Sequence, residues 1–573
     1  MLNRAFSSLR LRHPGLDATL FARYPGCRMS LENKVKRVAL VTGAASGLGA
    51  SFASRLARAK FDLVLVDQQA DGVKERADEL ADRFAVKTQV IVQDLIRPGA
   101  AADVRAQCDV LGVSIDVLVN NAGFHLNKCF HELPWSEIED NLQLLLAVVL
   151  ELTHLFLPGM IQQKWGRIIN VASMSGFMPG GVRLATYNAT KTFLIPFSEA
   201  LDFELRPTGV RVTAVCPGFM RTHLFVNSGL TAVRDSVPSF MWMEPDQVAE
   251  GGFRAAMNGI PVYIPGLVNR AIVTAAKFVP RKLLRARTRI FHRSAHIKLA
   301  SSTPTAAGGS APRRVALVTG ATSGIGASFS NVLAKEGFDI ILVARREEVI
   351  RQRASELAGR YRVKTYSIVQ DLTDPHAVQA ICAKCKALDR PVDILVSNAG
   401  YPLTELFHRM SWPEIDAALQ IYVISVVRLT HALLPGMISR GWGKVINIAS
   451  MAAFEPGSYR SSLYSSSKAF VTTFSESIAA EVKGTGVSVT AVCPGFTKTQ
   501  WTAKNKLQNA SVPNLLWMES DKVARAGFDA AMRDIPLSIV GTFPLRILSM
   551  MFQLAPRRFV GSLLSRKRRA MAL

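Results

Sequence analysis

The sequence predicts an α/β protein of two tandem domains, each a doubly wound parallel sheet with helices on both faces. One set of motifs occurs twice at a constant spacing, and within each copy short apolar runs alternate with segments of helix length. Continuous apolar strands alternating with helices are typical of a parallel sheet covered on both faces. A content of 49% hydrophobic and 20% charged residues indicates a globular chain.

The repeat is clearest in the segment Arg-Val-Ala-Leu-Val-Thr-Gly, which occupies residues 37–43 and again 314–320. The same shift of 277 residues relates Asp94 to Asp371, Asn121 to Asn398, Tyr187 to Tyr464 and Cys216 to Cys493. This period is far longer than a solenoid repeat, so each copy is a whole domain. The predicted divisions are a basic N-terminal extension (1–32), a first domain with a basic C-terminal segment (33–300), a linker (301–312) and a second domain with a basic C-terminal tail (313–573).

The elements of the first half follow one another in regular order. Apolar, β-branched runs predict strands at residues 38–42, 63–66, 90–92, 117–119, 168–171 and 210–215, each separated by a helix-length segment. Residues 301–312 contain only Ser, Thr, Pro, Ala and Gly, which predicts a flexible linker between the halves.

A glycine-rich turn joins the first strand to the first helix in both halves. Glycines there allow a tight turn and close approach of the backbone to a pyrophosphate, which the helix N-terminus also attracts. Two copies in the strand–turn–helix context predict Rossmann-type dinucleotide sites. The predicted contacts are Gly43, Ser46, Gly47, Leu48 and Gly49 in the first half, and Gly320, Ser323, Gly324, Ile325 and Gly326 in the second.

The end of the second strand differs between the halves. The first half has Asp67, whose carboxylate can accept hydrogen bonds from ribose hydroxyls and would repel a 2′-phosphate. The second half has Arg345 and Arg346, whose guanidinium groups can pair with a phosphate. This contrast predicts NAD in the first half and NADP in the second, against the alternative that these are ordinary surface charges.

Tyrosine and lysine lie four residues apart at Tyr187–Lys191 and at Tyr464–Lys468. On a helix such residues share one face. A nearby positive charge lowers the pKa of a tyrosine, which is about 10 in the free residue, and so favours acid/base chemistry on a hydroxyl or carbonyl. A packed tyrosine beside a solvated lysine is the ordinary alternative, and recurrence in the same frame argues against it.

Taken together, the motifs resemble those of the short-chain dehydrogenase/reductase family, in two copies. They are Thr-Gly-x-x-x-Gly-x-Gly, the segments Asn-Asn-Ala-Gly (120–123) and Ser-Asn-Ala-Gly (397–400), Tyr-x-x-x-Lys, and Cys-Pro-Gly at 216–218 and 493–495. The resemblance covers nearly everything except the N-terminal tail, the linker and the basic ends. It implies hydride transfer between a nicotinamide and an alcohol or carbonyl carbon.

The resemblance also implies roles for individual residues. Tyr187 and Tyr464 would exchange the proton, and Lys191 and Lys468 would lower the tyrosine pKa and hold the nicotinamide ribose. Ser173 and Ser450, each fourteen residues before its tyrosine, would bind the substrate oxygen, with Ser175 a weaker candidate. The remaining implied cofactor contacts are Asp94, Asn121, Ala122, Gly123, Pro217, Gly218 and Thr222, and Asp371, Asn398, Ala399, Gly400, Pro494, Gly495 and Thr499.

One position departs from the family's pattern. The family often places an asparagine, which helps to hold a relay water, where this chain has Leu145 and Tyr422. Asn141 lies one turn earlier, but its counterpart in the second half is Ala418. The proton relay is therefore expected to differ, or turnover to be slow.

The segment after each Pro-Gly is rich in large apolar residues. They are Phe219, Leu224, Phe225, Val226, Phe240, Met241 and Trp242 in the first half, and Phe496, Trp501, Leu515, Leu516 and Trp517 in the second. They predict an apolar or extended substrate, with packing of a lid or of a subunit interface as an equal alternative.

The formal net charge of +25 is concentrated in the tails. Residues 270–298 carry nine basic residues and no acid, and residues 537–573 carry seven and no acid. The bodies between are close to balanced, so nucleic acid is not an expected partner. The basic ends could dock on the neighbouring half or on an anionic membrane. Cys382 and Cys385 have no second pair at zinc-finger spacing, so no metal site is expected.

A reduced, cytoplasmic location is expected, since seven cysteines in so long a chain give no disulfide framework. No uninterrupted apolar run reaches membrane-spanning length. Residues 1–28 are rich in Arg and poor in acid, like an organelle transit peptide, while Met29 could equally be the true start. A peripheral membrane location through the basic tails is the third alternative.

The leading hypothesis is an oxidoreductase with two sites for a small alcohol or carbonyl substrate. Its rival is a nucleotide-binding scaffold or sensor in which one half is catalytically silent. The fusion could also serve to fix a dimer, either as an intramolecular pseudo-dimer or within a homo-oligomer.

Overall fold

A computed structural model describes residues 36–221, 237–290, 313–401, 403, 405–500, 502 and 513–572. The predicted N-terminal extension, Met29, the linker at 301–312 and the candidate residues Thr222, Leu224, Phe225, Val226 and Trp501 lie outside the described residues. The domain bounds given above stay predictions.

The first half forms one seven-stranded parallel sheet in the order β3-β2-β1-β4-β5-β6-β9, with helices between the strands. Its elements are β1 (Val38–Thr42), α1 (Gly47–Arg58), β2 (Asp62–Asp67), α2 (Ala70–Phe84), β3 (Thr88–Val92), α3 (Ala100–Val110), β4 (Ile115–Asn120), α4 (Trp135–Leu142), α5 (Val148–Gln162), β5 (Gly166–Val171), α6 (Ala185–Leu205), β6 (Val210–Val215), β7 (Phe219–Met220), β8 (Trp242–Met243), α7 (Pro245–Met257), β9 (Val262–Tyr263), α8 (Leu267–Ala276) and α9 (Arg281–Ile290).

The second half repeats this sheet in the order β12-β11-β10-β13-β14-β15-β18. Its elements are β10 (Val315–Thr319), α10 (Gly324–Lys335), β11 (Asp339–Ala344), α11 (Glu347–Tyr361), β12 (Thr365–Val369), α12 (Ala377–Ala387), β13 (Val392–Ser397), α13 (Trp412–Leu419), α14 (Ser425–Ser439), β14 (Gly443–Ile448), α15 (Tyr464–Glu481), β15 (Val487–Pro494), β16 (Thr497–Lys498), β17 (Met518–Glu519), α16 (Ser520–Met532), β18 (Leu537–Val540), α17 (Phe543–Leu554) and α18 (Arg557–Ala572).

Apolar residues of the central strands are buried on both faces of each sheet, as the continuous apolar runs predict. Leu40 of β1 is in register with Val64 of β2 and Leu118 of β4, and all three are fully buried. The strand order changes direction between β1 and β4, so the carboxyl ends of these two strands lie side by side. A dinucleotide-binding fold binds its ligand at this point of the sheet. The predicted fold class, two tandem Rossmann-type domains, is confirmed.

The two halves pack through the long helices α6 and α15, and equivalent residues make reciprocal contacts. The Phe130 N–H of the first half donates to Oε2 of Glu481 at 2.8 Å, and the Phe407 N–H of the second half donates to Oε2 of Glu204 at 3.0 Å. A shift of 277 residues converts each contact into the other, so the interface is isologous, as in a twofold dimer. The chain is therefore an intramolecular pseudo-dimer.

Two glycines allow this close approach. A Cβ on Gly180 would overlap the backbone nitrogen of Ser477 on α15, and a Cβ on Gly457 would overlap the carbonyl oxygen of Pro196 on α6. Neither glycine has a positive φ. The requirement is therefore for space between two backbones rather than for an unusual dihedral angle.

Part of the excess positive charge lies at this interface. Arg281 and Arg285 of α9 both bind Glu476 on α15, the latter with Nη1 3.0 Å from Oε1. Arg557 at the start of α18 binds Glu199 on α6, with Nε 2.8 Å from Oε1. These arginines of each basic end dock on the neighbouring half, which was one of the two expected partners.

Among the described residues, two helical segments are long and apolar enough to cross a membrane, by length and composition alone. They are Trp135–Gln162 and Trp412–Ser439, whose most apolar stretches are 61% and 56% buried inside the protein. His431 in the second segment bonds the carbonyl oxygen of Leu133, just before the first, at 2.8 Å. Their burial identifies them as core helices near the interface, which apolar composition alone would not reveal.

We expect Glu476→Gln to destabilise the protein by about 3–5 kcal/mol, because it leaves Arg281 and the buried Arg285 without their counter-charge. Adding Arg281→Met and Arg285→Met should recover much of the loss. The measurement is urea unfolding followed by circular dichroism. A matched control is Glu79→Gln, at an exposed ion pair with Arg76, which should cost no more than about 1 kcal/mol. Equal losses in Glu476→Gln and Glu79→Gln would contradict this account.

Candidate active sites

Tyrosine and lysine of each predicted pair lie one turn apart at the beginning of the interface helices. Lys191 Nζ on α6 is 5.7 Å from the ring centre of Tyr187, and Lys468 Nζ on α15 is 5.9 Å from that of Tyr464. Each ammonium also donates to a carbonyl oxygen at the end of a central strand, Val171 O at 2.7 Å or Ile448 O at 2.8 Å. The sheet thus fixes where the lysine points.

The predicted serines reach the tyrosines in spite of the longer intervening loop. Ser173 follows β5 and lies near enough to Tyr187 for its side chain to lower the pKa of that phenol, and Ser450 acts in the same way on Tyr464. The chain after each serine turns back on it, because the Ser175 N–H donates to Ser173 Oγ at 3.2 Å and the Ala452 N–H to Ser450 Oγ at 3.1 Å. The structure brings serine, tyrosine and lysine together in both halves, and Ser175 supports Ser173.

Burial controls the ionisation of these groups. It raises the pKa of Tyr187 and Tyr464 above the usual value of 10, although the neighbouring serines act in the opposite direction. Burial lowers the pKa of Lys191 and of Lys468 to about 8. Burial dominates the pKa of each tyrosine, and each lysine is bonded to a strand carbonyl; that the lysine lowers the tyrosine pKa stays a prediction.

The first glycine turn joins β1 to α1 and is tightly packed. Gly43 has a φ of +64°, and a Cβ on Gly49 would overlap the Gly43 carbonyl oxygen. Asn121, after β4, donates from Nδ2 to Thr42 O at 3.0 Å and to Gly43 O at 3.2 Å, and the Ala122 N–H donates to Thr42 Oγ1 at 3.1 Å. Asn121 thus ties the glycine turn to the end of β4.

The second turn has the same construction. Gly320 has a φ of +64°, and Asn398 Nδ2 donates to Thr319 O at 3.0 Å and to Gly320 O at 3.3 Å. Gly324, at the start of α10, would place a Cβ 3.1 Å from Cγ2 of Thr499. Of the two threonines predicted to face the carboxamide, Thr499 therefore lies at the glycine turn.

The end of the second strand differs in structure as it does in sequence. Asp67 Oδ2 accepts from the Ala45 N–H at 3.0 Å and Oδ1 from the Gln69 N–H at 3.1 Å, which fixes its carboxylate beside the first turn. The equivalent position is Ala344, and Arg345 follows it with an exposed side chain 3.4 Å from Asp371. Arg346 is the residue just before α11, and its side chain makes no capping hydrogen bond.

The other predicted cofactor contacts also lie along this edge. Asp94 accepts the Ile96 N–H at 3.1 Å. Asp371 is partly buried, which would raise its pKa, but hydrogen bonds from Thr373 and the charge of Arg345 outweigh burial and lower the pKa. The carbonyl oxygen of Pro217 accepts the Met174 N–H at 2.8 Å. The remaining glycines are tightly covered: Gly123 by Leu145, Gly400 by Tyr422, Gly218 by Asn269 and Gly495, after Pro494, by Leu545.

The position that departs from the family pattern has a structural explanation. In the first half Asn141 is buried and donates from Nδ2 to Phe124 O at 3.2 Å. In the second half the hydroxyl of Tyr422 donates to Tyr401 O, and Tyr401 is the counterpart of Phe124. The same backbone carbonyl is therefore held in both halves, from helix positions one turn apart.

Asn141 lies just before an irregular turn of the helix, and Tyr422 lies within the equivalent turn. Residues Gln143–Ala147 and Gln420–Ile424 form π-helical turns, which contain Leu145 and Tyr422 respectively. In the second half alone, Lys468 Nζ lies 4.9 Å from the ring centre of Tyr422, whose edge also meets the ring of Tyr464. Tyr422 thus contacts both predicted catalytic side chains, and the sequence had marked it only as a missing asparagine.

Two further side chains were not singled out from the sequence. The His125 ring lies 5.1 Å from the ring of Tyr187, edge to face, and its counterpart in the second half is Pro402. The ring of Tyr401 lies 5.9 Å from that of Tyr422. His125 and Tyr401 lie two residues and one residue after the Asn-Ala-Gly motif. Their closeness to this motif was the sequence signal that could have marked them as site residues.

The apolar residues after each Pro-Gly partly pack on one another. Phe219 and Trp242 have ring centres 5.8 Å apart and pair through β7 and β8, and Phe496 and Trp517 are 5.5 Å apart. Phe240 and Leu515 are exposed. Part of the predicted substrate surface therefore packs the segment itself, which was the alternative explanation.

Across the part of the chain that the structure describes, no group of three or more His, Cys, Asp or Glu could hold a metal ion. Cys382 and Cys385 are free thiols on α12.

The short chain dehydrogenase family matches residues 37–231 and 314–510, which is well over half of the chain. The 3-oxoacyl-[acyl-carrier-protein] reductase FabG of Aquifex aeolicus is 32% identical over 222 residues, which are 37% of this chain and 87% of the relative. The very-long-chain 3-oxoacyl-CoA reductase of Bos taurus is 34% identical over 191 residues, 32% of this chain and 60% of the relative. A solved short-chain dehydrogenase from Sphingobium yanoikuyae in complex with NADPH is 30% identical, covers 47% of this chain and 98% of its own, and has a TM-score of 0.39.

The chain therefore belongs to the short-chain dehydrogenase family, in two tandem copies, and is an oxidoreductase of that family.

We expect Tyr422→Leu to destabilise the second half by about 1–3 kcal/mol and to lower its turnover, because the Tyr401 carbonyl loses its donor. Adding Ala418→Asn copies the first-half arrangement and should restore most of the lost stability and most of the lost turnover. Turnover is measured in a Tyr187→Phe background, which leaves only the second site. If Ala418→Asn gives no recovery in the double variant, the two arrangements are not equivalent.

Proposed function

We propose that each half interconverts an alcohol and a ketone or aldehyde by NAD(P)-dependent hydride transfer. The observation that supports it is a tyrosine with a serine beside it and a lysine one turn along the helix, present in both halves. Membership of the family supports the same reaction class. The residues proposed to act are Ser173, Tyr187 and Lys191 in the first half, and Ser450, Tyr464 and Lys468 in the second.

The residues of the glycine turns fit a dinucleotide. No side-chain cap bonds the first N–H groups of α1 or α10, because Ser46 and Ser323 make no capping hydrogen bond. These N–H groups remain available to phosphate oxygens, and the helix dipole favours the negative charge. The left-handed φ of Gly43 and Gly320 disfavours any side chain that would fill the turn.

The protonation states favour reduction. A bound nicotinamide supplies the hydride. Ser173 Oγ donates a hydrogen bond to the carbonyl oxygen, and Tyr187 Oη gives its proton to that oxygen as negative charge develops there. Burial raises the pKa of Tyr187, so the phenol is protonated near neutral pH. With a pKa of about 8, Lys191 is still mainly an ammonium there and stabilises the phenolate that remains.

The two halves differ in the group that faces the adenosine ribose, and we propose NAD for the first and NADP for the second. Asp67 is fixed by two backbone N–H groups, and its charge opposes a 2′-phosphate. Arg345 is exposed and forms a surface ion pair with Asp371, which contributes little and can be exchanged for a phosphate. One half could then oxidise an alcohol while the other reduces the ketone.

For the substrate we propose an apolar, extended ketone such as a 3-oxoacyl thioester. Two relatives with that activity in their names support it, as do the paired aromatic residues after each Pro-Gly. A scaffold with one silent half is the second candidate, and the asymmetry at Tyr422 is the observation that favours it.

Single changes in the full-length chain test the catalytic assignment. Tyr187→Phe and Tyr464→Phe should each reduce the activity of their own half by about 10²–10⁴-fold, because each removes a general acid. Activity is followed by nicotinamide absorbance with short and long 3-oxoacyl thioesters and small polar ketones. The full chain is used because the halves hold each other's buried carboxylates. A double variant with undiminished activity would reject the assignment, and loss of all activity in one single variant would favour the silent half.

Cofactor preference is tested in the same single-site backgrounds. In Tyr187→Phe, adding Arg345→Ala should raise the KM for NADP about 10–100-fold and change that for NAD little, since a charge-assisted phosphate contact is lost. In the Tyr464→Phe background, adding Asp67→Ala should raise the KM for NAD and lower the KM for NADP. Arg351→Ala, which removes an exposed arginine paired with Glu347 on α11, is the matched control. Equal preference of both halves for one cofactor would refute the proposal.

A further inference from the structure

The outward face of α17 is apolar, which is the reverse of the usual pattern for a surface helix. Phe543, Ile547 and Met551 follow one another at intervals of four and are 76%, 44% and 59% exposed. Leu545 and Ser549 face the protein interior. An exposed stripe of bulky apolar side chains indicates a contact surface. The partner of this surface is not among the described residues.

The same surface continues onto α18. Phe559 and Leu563 lie one turn apart and are exposed, and Arg566 and Lys567 follow on the next turn, also exposed. The two helices pack on each other across the bend at Pro556. Together they present bulky apolar side chains beside basic ones.

The first half contributes a smaller patch of the same kind at the same place in its fold. Leu267, Phe278 and Leu283, on α8, the following turn and α9, are exposed. Each patch lies beside an arginine that binds the opposite half, since Arg281 follows Phe278 by three residues and binds Glu476, and Arg557 at the start of α18 binds Glu199.

The charged residues within these two segments all have the same sign. Residues 270–290 and 537–572 contain no acidic residue, while Arg546, Arg566 and Lys567 are exposed within the surface. A second copy of the chain would bring cations against cations across an isologous contact. An anionic lipid surface matches both features, because its headgroups pair with Lys and Arg and its acyl region accepts bulky apolar side chains.

We propose that α17 and α18, with the first-half patch at Leu267, Phe278 and Leu283, dock the protein on the surface of an anionic lipid bilayer. The arginines on the inner side of the same segments, Arg281 and Arg557, bind Glu476 and Glu199 and so hold the docking elements on the protein. The contact is peripheral, since α17 is 12 residues long and too short to span a bilayer.

The test is flotation of the full-length protein with vesicles of phosphatidylcholine alone or mixed with phosphatidylserine. The protein should float with the mixed vesicles, much less with phosphatidylcholine, and less as salt is raised. The triple change Arg546→Gln, Arg566→Gln and Lys567→Gln should weaken binding about a hundredfold, at roughly fivefold per charge. The change Phe543→Ser, Ile547→Ser and Met551→Ser should weaken it at least about tenfold.

The matched control is Lys74→Gln, Lys364→Gln and Lys386→Gln, which removes three exposed charges elsewhere and should leave binding unchanged. Equal binding to both vesicle types, or equal loss in the control, would overturn the proposal. So would sedimentation in lipid-free buffer showing an oligomer that the serine variant reduces to single chains, because the face would then be an interface between copies. Thermal unfolding of each variant excludes loss of fold as the cause.

Discussion

Four glutamates on the paired helices α6 and α15 are buried in the interface, and each is held by groups of the opposite half. Glu204 and Glu481 accept backbone N–H groups, while Glu199 and Glu476 bind arginines from the C-terminal helices. Burying carboxylates is costly unless each finds donors, so neither half can keep its helix surface without the other. The interface is therefore a condition of the fold of both halves.

The active sites depend on the same helices. Tyr187 and Lys191 lie at the beginning of α6, and Tyr464 and Lys468 at the beginning of α15, so the pairing that buries the glutamates also fixes the tyrosines. Burial in turn sets their ionisation, since it raises the pKa of the tyrosines and lowers that of the lysines. Assembly of the halves and the chemistry proposed for each are thus parts of one arrangement.

Within this shared frame the halves differ locally. The carbonyl after Asn-Ala-Gly is held by Asn141 in one half and by Tyr422 in the other, and the backbone is the same in both. The ribose end has Asp67 in one half and Arg345 beyond Ala344 in the other. These substitutions between the halves change the polarity and charge of the site. They do not disturb the sheet, because the buried apolar residues of its strands are not involved.

The sequence alone determined the two-domain α/β fold, because apolar strand periodicity and the 277-residue repeat are local or linear properties. It also located the serine, tyrosine and lysine that the structure brings together, although their roles remain proposals. Only the tertiary structure decided where the basic ends go. Arg281 and Arg557 bind buried glutamates far away in sequence, whereas Arg566 and Lys567 face outward beside apolar side chains. It likewise decided the role of Tyr422, because the carbonyl that it bonds is reached through space and no spacing in the sequence records that contact.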